Sequence, residues 1–326
     1  MSTRVLFLGG AGMIGSAAAA EAVRRGVELT IVTRGAPSRP MPAGVRQLRA
    51  DVRDARALAG VLGEESFDAV VNWVGYAEGD VRDHVELFSD RTTQYVFIST
   101  CSVYARPVPL LPITESSPIR QSEFGYPRGK IACELLLQDA YRQSGFPLTI
   151  VRPFHTYDET TVPILSGWTA IERMRAGKGV VVHGDGTSLW SLTHSSDFAR
   201  AFVPLLGNGH AIGESVNVVS GDILTWDQIH IELAAAAGVR EPRLVHVSSE
   251  AIGRAVPGWA EVLEHDFRHT MLFDTSKLLR LVPGFAPRVS FSDGARQIIE
   301  HARVSSSARR VDAELDAAFD RLIDGV

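Results

Sequence analysis

Cysteine is nearly absent from this chain: Cys101 and Cys133 are its only two among 326 residues. Two thiols cannot form a disulfide framework, and no CxxC pair or His/Cys cluster offers metal-ligand spacing, so no metal centre is expected. Long apolar runs are also missing. None reaches the about 18 residues of a membrane span, and the first apolar run starts only four residues in. The expectation is a reduced, cytoplasmic protein with no membrane partner. Basic charge is not in excess either: 33 Lys and Arg stand against 38 Asp and Glu, for a net charge of −5. That balance gives no electrostatic reason to expect nucleic acid as a partner. What remains, 45% hydrophobic and 22% charged residues, is the composition of an ordinary globular protein.

The first half alternates β-branched runs with Ala/Leu-rich segments. Strands are expected at VLFLG (5–9), ELTIVTR (28–34), VRQLRADV (45–52), DAVVNWV (68–74) and YVFIST (95–100). Helices are expected at 13–26 and 55–63, then at 126–145 before a sixth strand, PLTIVRP (147–153). Strands separated by helices imply a doubly wound parallel sheet of Rossmann type, since parallel strands need crossover connections. After Pro153 the rhythm breaks into Gly-bounded pieces: a helix near 166–177, then GVVVHG, ESVNVVSG (214–221), RLVHVS and a helical stretch from Phe291. Thr225 and Gln228 have capping-box spacing. The expected organisation is an α/β dinucleotide-binding domain over 1–153, with parts of 180–220 returning to it. A smaller substrate-binding lobe occupies most of 154–326.

GGAGMIG (9–15) follows the first strand and opens the first helix, with Gly9, Gly12 and Gly15 spaced GxxGxxG. Such glycines let backbone N–H groups approach a pyrophosphate at a helix N-terminus, so a dinucleotide is expected here. Asp51 and Val52, after the third strand, stand where a carboxylate meets the adenine amino group; Asp54 fits a helix N-cap better. The second strand ends in Thr33-Arg34, without the Asp or Glu that binds the ribose 2′-OH of NAD. An arginine there accommodates a 2′-phosphate, which favours NADP over NAD.

Tyr126 and Lys130 form YxxxK, and at i and i+4 they share one helix face. An unperturbed Tyr, with a pKa of about 10, is a poor base at neutral pH. A neighbouring Lys⁺ and the cofactor's positive nicotinamide are expected to bring that pKa down.

GGAGMIG, ADV, FISTCSVY and YPRGK, in this order, resemble the extended short-chain dehydrogenase/reductase superfamily in its NAD-dependent epimerase/dehydratase branch. The resemblance is firm over 1–153 and looser to about residue 290. It implies a triad of Thr100, Tyr126 and Lys130. Thr, placed by counting back from Tyr104, holds the reacting oxygen; Tyr moves its proton, and Lys orients the ribose. It also implies cofactor contacts from Met13 and Ile14 in the loop, from Val74 after the fourth strand and from Pro153. The helix carrying Tyr126, with Ile131, Leu135 and Leu136 on its apolar face, resembles the one that pairs in the superfamily's homodimers; that face could equally cover its own sheet.

Departures from the family pattern narrow the function. Dehydratases that resemble this chain carry Asp-Glu directly after the catalytic Thr, where Cys101 and Ser102 stand here; neither is a competent carboxylate acid. Nucleotide-sugar binders commonly read GDGxxxRDxxHVxD, whereas this chain reads GDGTSLWSLTHSSD, with Trp190 and Ser191 in place of Arg and Asp. The missing arginine removes a charge-assisted phosphate contact. His155, in RPFHTYD, stands where sugar epimerases have Asn. Candidate substrate residues are therefore Cys101, Ser102, His155, Tyr157 and Trp190, with core packing the alternative for Trp190. The main reading is an oxidoreductase acting at a carbinol or ketone of a sugar-like, polyhydroxylated small molecule. An epimerase using the same triad is the alternative. The chloroplast stem-loop RNA-binding relatives make a non-catalytic RNA-binding protein a remote third, against which the net charge weighs.

Overall fold

In the computed structural model, which describes residues 2–120, 125–220 and 222–325, the first half alternates strands and helices except where β3 follows β2 directly. β1 (Arg4–Leu8), α1 (Met13–Arg24), β2 (Glu28–Thr33), β3 (Arg46–Arg49), α2 (Ala55–Leu62) and β4 (Ala69–Asn72) come first. They are followed by α3 (Gly79–Phe88), β5 (Tyr95–Ile98), α4 (Gly125–Ser144) and β6 (Leu148–Pro153). β7 (Thr156–Tyr157), α5 (Gly167–Arg175), β8 (Val180–His183), β9 (Leu189–Ser191), β10 (Thr193–His194), α6 (Ser195–Phe202) and β11 (Ser215–Val218) continue the chain. It closes with β12 (Ile223–Thr225), α7 (Trp226–Ala236), β13 (Leu244–Val247), α8 (Ser249–Ala255), α9 (Ala260–Val262), α10 (Ser276–Leu281), α11 (Phe291–Val304) and α12 (Ala313–Asp324). Gly221, the last residue of the strand expected at 214–221, lies outside the described residues.

Seven of these strands form one parallel sheet in the order β11-β6-β5-β4-β1-β2-β3. The order reverses between β1 and β4, and a doubly wound sheet binds ligands at such a switch point, beyond the strand C-termini. Alternation along β1 shows why the sheet is covered on both faces. Val5 and Phe7 pack with Ala18 and Ala22 of α1 and Phe198 and Phe202 of α6. Leu6 and Leu8 join Leu58 of α2, Phe88 of α3 and Leu137 of α4 on the other face. Side chains with a period of two therefore feed two cores.

The elements end where their capping chemistry dictates. Asp54 caps α2, its carboxylate accepting from the N–H groups of Arg56 and Ala57 at 3.0 Å. Thr225 and Gln228 close the expected capping box on α7. One helix departs from the sequence reading: α3 joins β4 to β5 where none is assigned. Its polar run GDVRDHVELF buries only Val81, His84 and Phe88. The later residues build a separate core around Trp190, Trp226, Phe267 and Tyr157. They also return β11 and α6 to the large sheet.

Candidate active site

The C-terminal ends of β1, β2, β4, β5 and β6 open onto a cavity of about 690 Å³. Gly9–Gly15 floors one end. Gly15 allows α1 to start tight against the loop, because a Cβ there would collide with the Gly10 carbonyl. A Cβ at Gly12 would meet no protein atom within 4 Å, although Gly12 lines the cavity. No side chain caps α1 and its first turn holds no acid. A helix N-terminus left open beside a glycine cradle fits the pyrophosphate of a dinucleotide.

Of the cofactor residues expected from sequence, Gly9, Gly12, Met13, Ile14, Gly15, Arg34, Asp51, Val52, Val74, Lys130 and Pro153 all line this cavity. Arg34 is exposed, and its carbonyl accepts from Arg49 at 3.0 Å. Arg53 lines the same end and pairs with Asp80 at 3.2 Å. Val74 is positioned through Asn72, whose amide oxygen accepts from the N–H groups of Val74 and Gly75 at 2.9 Å. Trp73, beside it, packs edge-on against Phe7 and Phe202 beneath the loop.

The triad residues meet at the other end. Thr100, in extended backbone after β5, accepts from the Ser102 N–H at 3.1 Å. Its hydroxyl is hydrogen-bonded to the Tyr126 phenol. The Lys130 ammonium donates to the Ile98 carbonyl at 2.8 Å and lies 4.4 Å from the Tyr76 ring centroid. Without the nicotinamide charge, the protein groups alone set the tyrosine electrostatics here. Tyr126 keeps 45% of its surface exposed, yet desolvation pushes its phenol up to about 12 against the opposing Thr100 hydrogen bond, while burial lowers Lys130 to about 8. Desolvation disfavours both charged forms, and Lys130 is not among the groups that act on the phenol. The protein groups therefore keep the phenol protonated at neutral pH.

Facing the triad, His155 and Trp190 come from β6–β7 and β9. His155 is the one non-glycine residue with positive φ (26°) among the described residues. Trp190 Nε1 donates to His155 Nδ1 at 2.6 Å. Indole N–H can only donate, so Nδ1 carries no proton and the neutral ring keeps its hydrogen on Nε2. Burial pushes this histidine down to about 4. Trp190 is almost wholly buried against Phe154, Trp226 and Phe267, yet still edges the cavity. Packing thus accounts for most of its surface.

Two expected substrate residues are corrected. Cys101 is fully buried, and its thiol donates to the Arg152 carbonyl at 3.2 Å, because the 3₁₀ turn Cys101–Val103 directs it under the sheet edge. Tyr157 packs its ring on His194 and Phe291. Neither lines the cavity, whereas Ser102, His155 and Trp190 do.

Wall residues that sequence reasoning missed include Tyr76, Asp266 and Phe267. Tyr76 sits in the quoted VNWVGY, but nothing there reveals that its carbonyl abuts Gly129 of α4. Asp266 and Phe267 lie in a π-helical turn, Leu263–Phe267, with no periodic signal. Asp266 accepts from Ser102 Oγ at 3.1 Å and pairs with Arg106 at 2.6 Å.

Comparison with known proteins gives a consistent picture. A curated relative, 2′-dehydrokanamycin reductase of Streptomyces kanamyceticus, is 27% identical over 98% of this chain and 89% of its own length. The chloroplast stem-loop binding protein of 41 kDa b of Arabidopsis thaliana is 25% identical over 89% of this chain and 77% of its own. Among solved structures, the dTDP-glucose 4,6-dehydratase of Bacillus anthracis in complex with NAD superimposes with a TM-score of 0.73 at 16% identity, covering 94% of this chain and 98% of that one. Among the described residues no helix is long and apolar enough to cross a membrane. The model of the NAD dependent epimerase/dehydratase family matches residues 5–219, and with the glycine cradle, the switch-point cavity and the Thr/Tyr/Lys cluster already in view, this chain belongs to that family.

Proposed function

We propose that this protein is an NADP(H)-dependent reductase acting at a ketone of a polyhydroxylated small molecule, with Thr100, Tyr126 and Lys130 as its catalytic residues. The carrying observation is geometric: Thr100, hydrogen-bonded to the Tyr126 phenol, and Lys130 line the same cavity as the glycine cradle. Reduction needs a proton for the new alkoxide, and a phenol held near 12 is present as the acid. The Thr100 hydroxyl holds the carbonyl oxygen and Tyr126 Oη gives it the proton. Lys130 orients the ribose and offers the next proton to the phenolate. When bound, a reduced nicotinamide supplies the hydride to the carbonyl carbon. Gly9, Gly12, Met13, Ile14 and Gly15 hold the pyrophosphate; Asp51 and Val52 hold the adenine, Val74 and Pro153 the nicotinamide end, and Arg34 the 2′-phosphate.

Ser102, His155 and Trp190 form the substrate wall under this reading, with the sheet side as the cofactor domain and the later lobe closing over it. Similarity to the Streptomyces 2′-dehydrokanamycin reductase supports a ketone on an amine-bearing sugar as the first substrate class to try. Of the expected dimer face on α4, Ile131 is buried and Leu136 packs on the sheet core of its own subunit, so the homodimer reading rests on exposed Leu135 alone. The soluble, cytoplasmic reading rests on the composition.

The test is a steady-state assay of NADPH oxidation with ketosugar substrates, alongside a search for co-purified nucleotide. Turnover with exchangeable NADPH supports the reductase. NAD retained at full occupancy, with interconversion of sugar epimers and no net cofactor change, would establish the epimerase in its place.

A further inference from the structure

Resting on the reductase reading, we propose that Asp266 is the residue that anchors the substrate, accepting a hydrogen bond from a hydroxyl or ammonium group of a polyol that carries no phosphate. Three observations converge on it. First, Asp266 lines the cavity beside Ser102, Tyr126 and His155, although it comes from a π-helical turn of the lobe 164 residues away from Ser102. Single π-turns inside helices recur at functional sites, where they re-aim a side chain.

Second, its carboxylate is held but not saturated. Oδ1 takes the Arg106 guanidinium at 2.6 Å and Oδ2 the Ser102 hydroxyl at 3.1 Å. Two carboxylate oxygens offer about four acceptor positions, which leaves room for a ligand. Arg106 is fixed in turn, since its other nitrogen donates to the Ser102 and Tyr104 carbonyls at 2.9 and 2.8 Å. The acid is therefore presented in one orientation, next to the loop that carries Thr100.

Third, no arginine among the described residues lines the substrate end of the cavity: Arg34 and Arg53 lie at the cofactor end, and Arg106 stays behind Asp266. Lys130, which donates to the Ile98 carbonyl, goes to the ribose on the reductase reading, and Trp190 sits in an aromatic box. A diphosphate there would meet a carboxylate and aromatic rings, with neither a bidentate arginine nor a helix N-terminus to hold it. His155 faces the same space with its hydrogen on Nε2, so the wall pairs one donor with one acceptor. That pairing suits adjacent hydroxyl or amine groups on a ring.

The test is equilibrium binding by calorimetry to the full chain loaded with NADP⁺. The probes are an aminoglycoside, an uncharged disaccharide and UDP-glucose; NADPH affinity is measured separately. Saturable binding of a phosphate-free probe, weakened at least ten-fold in Asp266→Asn while NADPH affinity stays unchanged, supports the proposal. Asp266→Glu keeps the ion pair with Arg106 but moves the acceptor, and it should also weaken the probe. That variant keeps the question open to test if Asp266→Asn fails to fold. Preferential binding of UDP-glucose, unchanged probe affinity in both variants, or no binding of either phosphate-free probe overturns the proposal. In a turnover assay, a fall in kcat at constant KM also overturns it, because it makes Asp266 a proton-transfer group. Failure of NADPH to bind at all would count against the reductase reading and not against the anchor.

Discussion

Trp190 donates its indole hydrogen to His155 at 2.6 Å, and that one bond decides which nitrogen of the imidazole carries a proton. The histidine is thereby kept a donor on the cavity side and, being desolvated, neutral down to about pH 4. In Trp190→Phe the ring loses its fixed tautomer. Nitrogen-15 NMR of the His155 side chain should show a single Nε2–H tautomer in the parent and a tautomer mixture in the variant. A mixture already present in the parent would refute the assignment.

On the proposed mechanism, Tyr126→Phe removes the proton donor and leaves the cavity wall in place. Turnover should fall by about 10²–10⁴-fold, while the Kd for NADPH, read by fluorescence titration, stays within a factor of two or so of the parent. An equally active variant would show that the phenol takes no part in the reaction.

Arg34→Ala tests the 2′-phosphate contact. A charge-assisted hydrogen bond contributes about 1.5–3 kcal/mol. The Kd for NADPH should therefore rise by about 10–100-fold and that for NADH hardly change. A parent protein that already prefers NADH in the same titration would end the NADP assignment.

Gly129→Ala addresses how the catalytic helix is seated. The added methyl would strike the Tyr76 carbonyl, so α4 must move away from the loop after β4. Overpacking of this kind costs about 1–3 kcal/mol. Urea unfolding should report that loss, and turnover should fall with it because Tyr126 and Lys130 ride on the same helix.

Acid sensitivity follows from two buried histidines. His155 and His183 are both held near 4 by burial, below the 6.5 of an unfolded chain. Between those values the unfolded chain binds more protons than the folded one, so stability falls as pH drops through that window and rises as it climbs back. The urea midpoint should be lower at pH 5 than at pH 7.5, and His183→Gln should flatten the profile.

How much was legible in the sequence follows the physics of each element. The sheet strands β1, β2, β4, β5 and β6 read clearly because strands buried on both faces must be β-branched and continuous. The glycine loop read clearly because only glycine allows its close approaches. Helix α3 escaped because it buries just three side chains of ten. β7, β9 and β10 escaped because two or three residues cannot display a period. At the site, Thr100, Tyr126 and Lys130 follow from local motifs. Cys101 was misjudged because a 3₁₀ turn rotates it inward one residue after Thr100. Asp266 was invisible because its relation to Ser102 exists only once the lobe has docked.

Trp73 beneath the glycine cradle and Trp190 at the opposite wall give the cavity one indole at each end. Indole emission overlaps nicotinamide absorption, so the protein contains an optical ruler for its own occupancy. Excitation at the indole band should transfer energy to bound NADPH chiefly from Trp73, while a ligand on the lobe side perturbs Trp190. Single Trp→Phe replacements would separate the two signals, and loading of each end could then be timed in one stopped-flow trace without any attached dye.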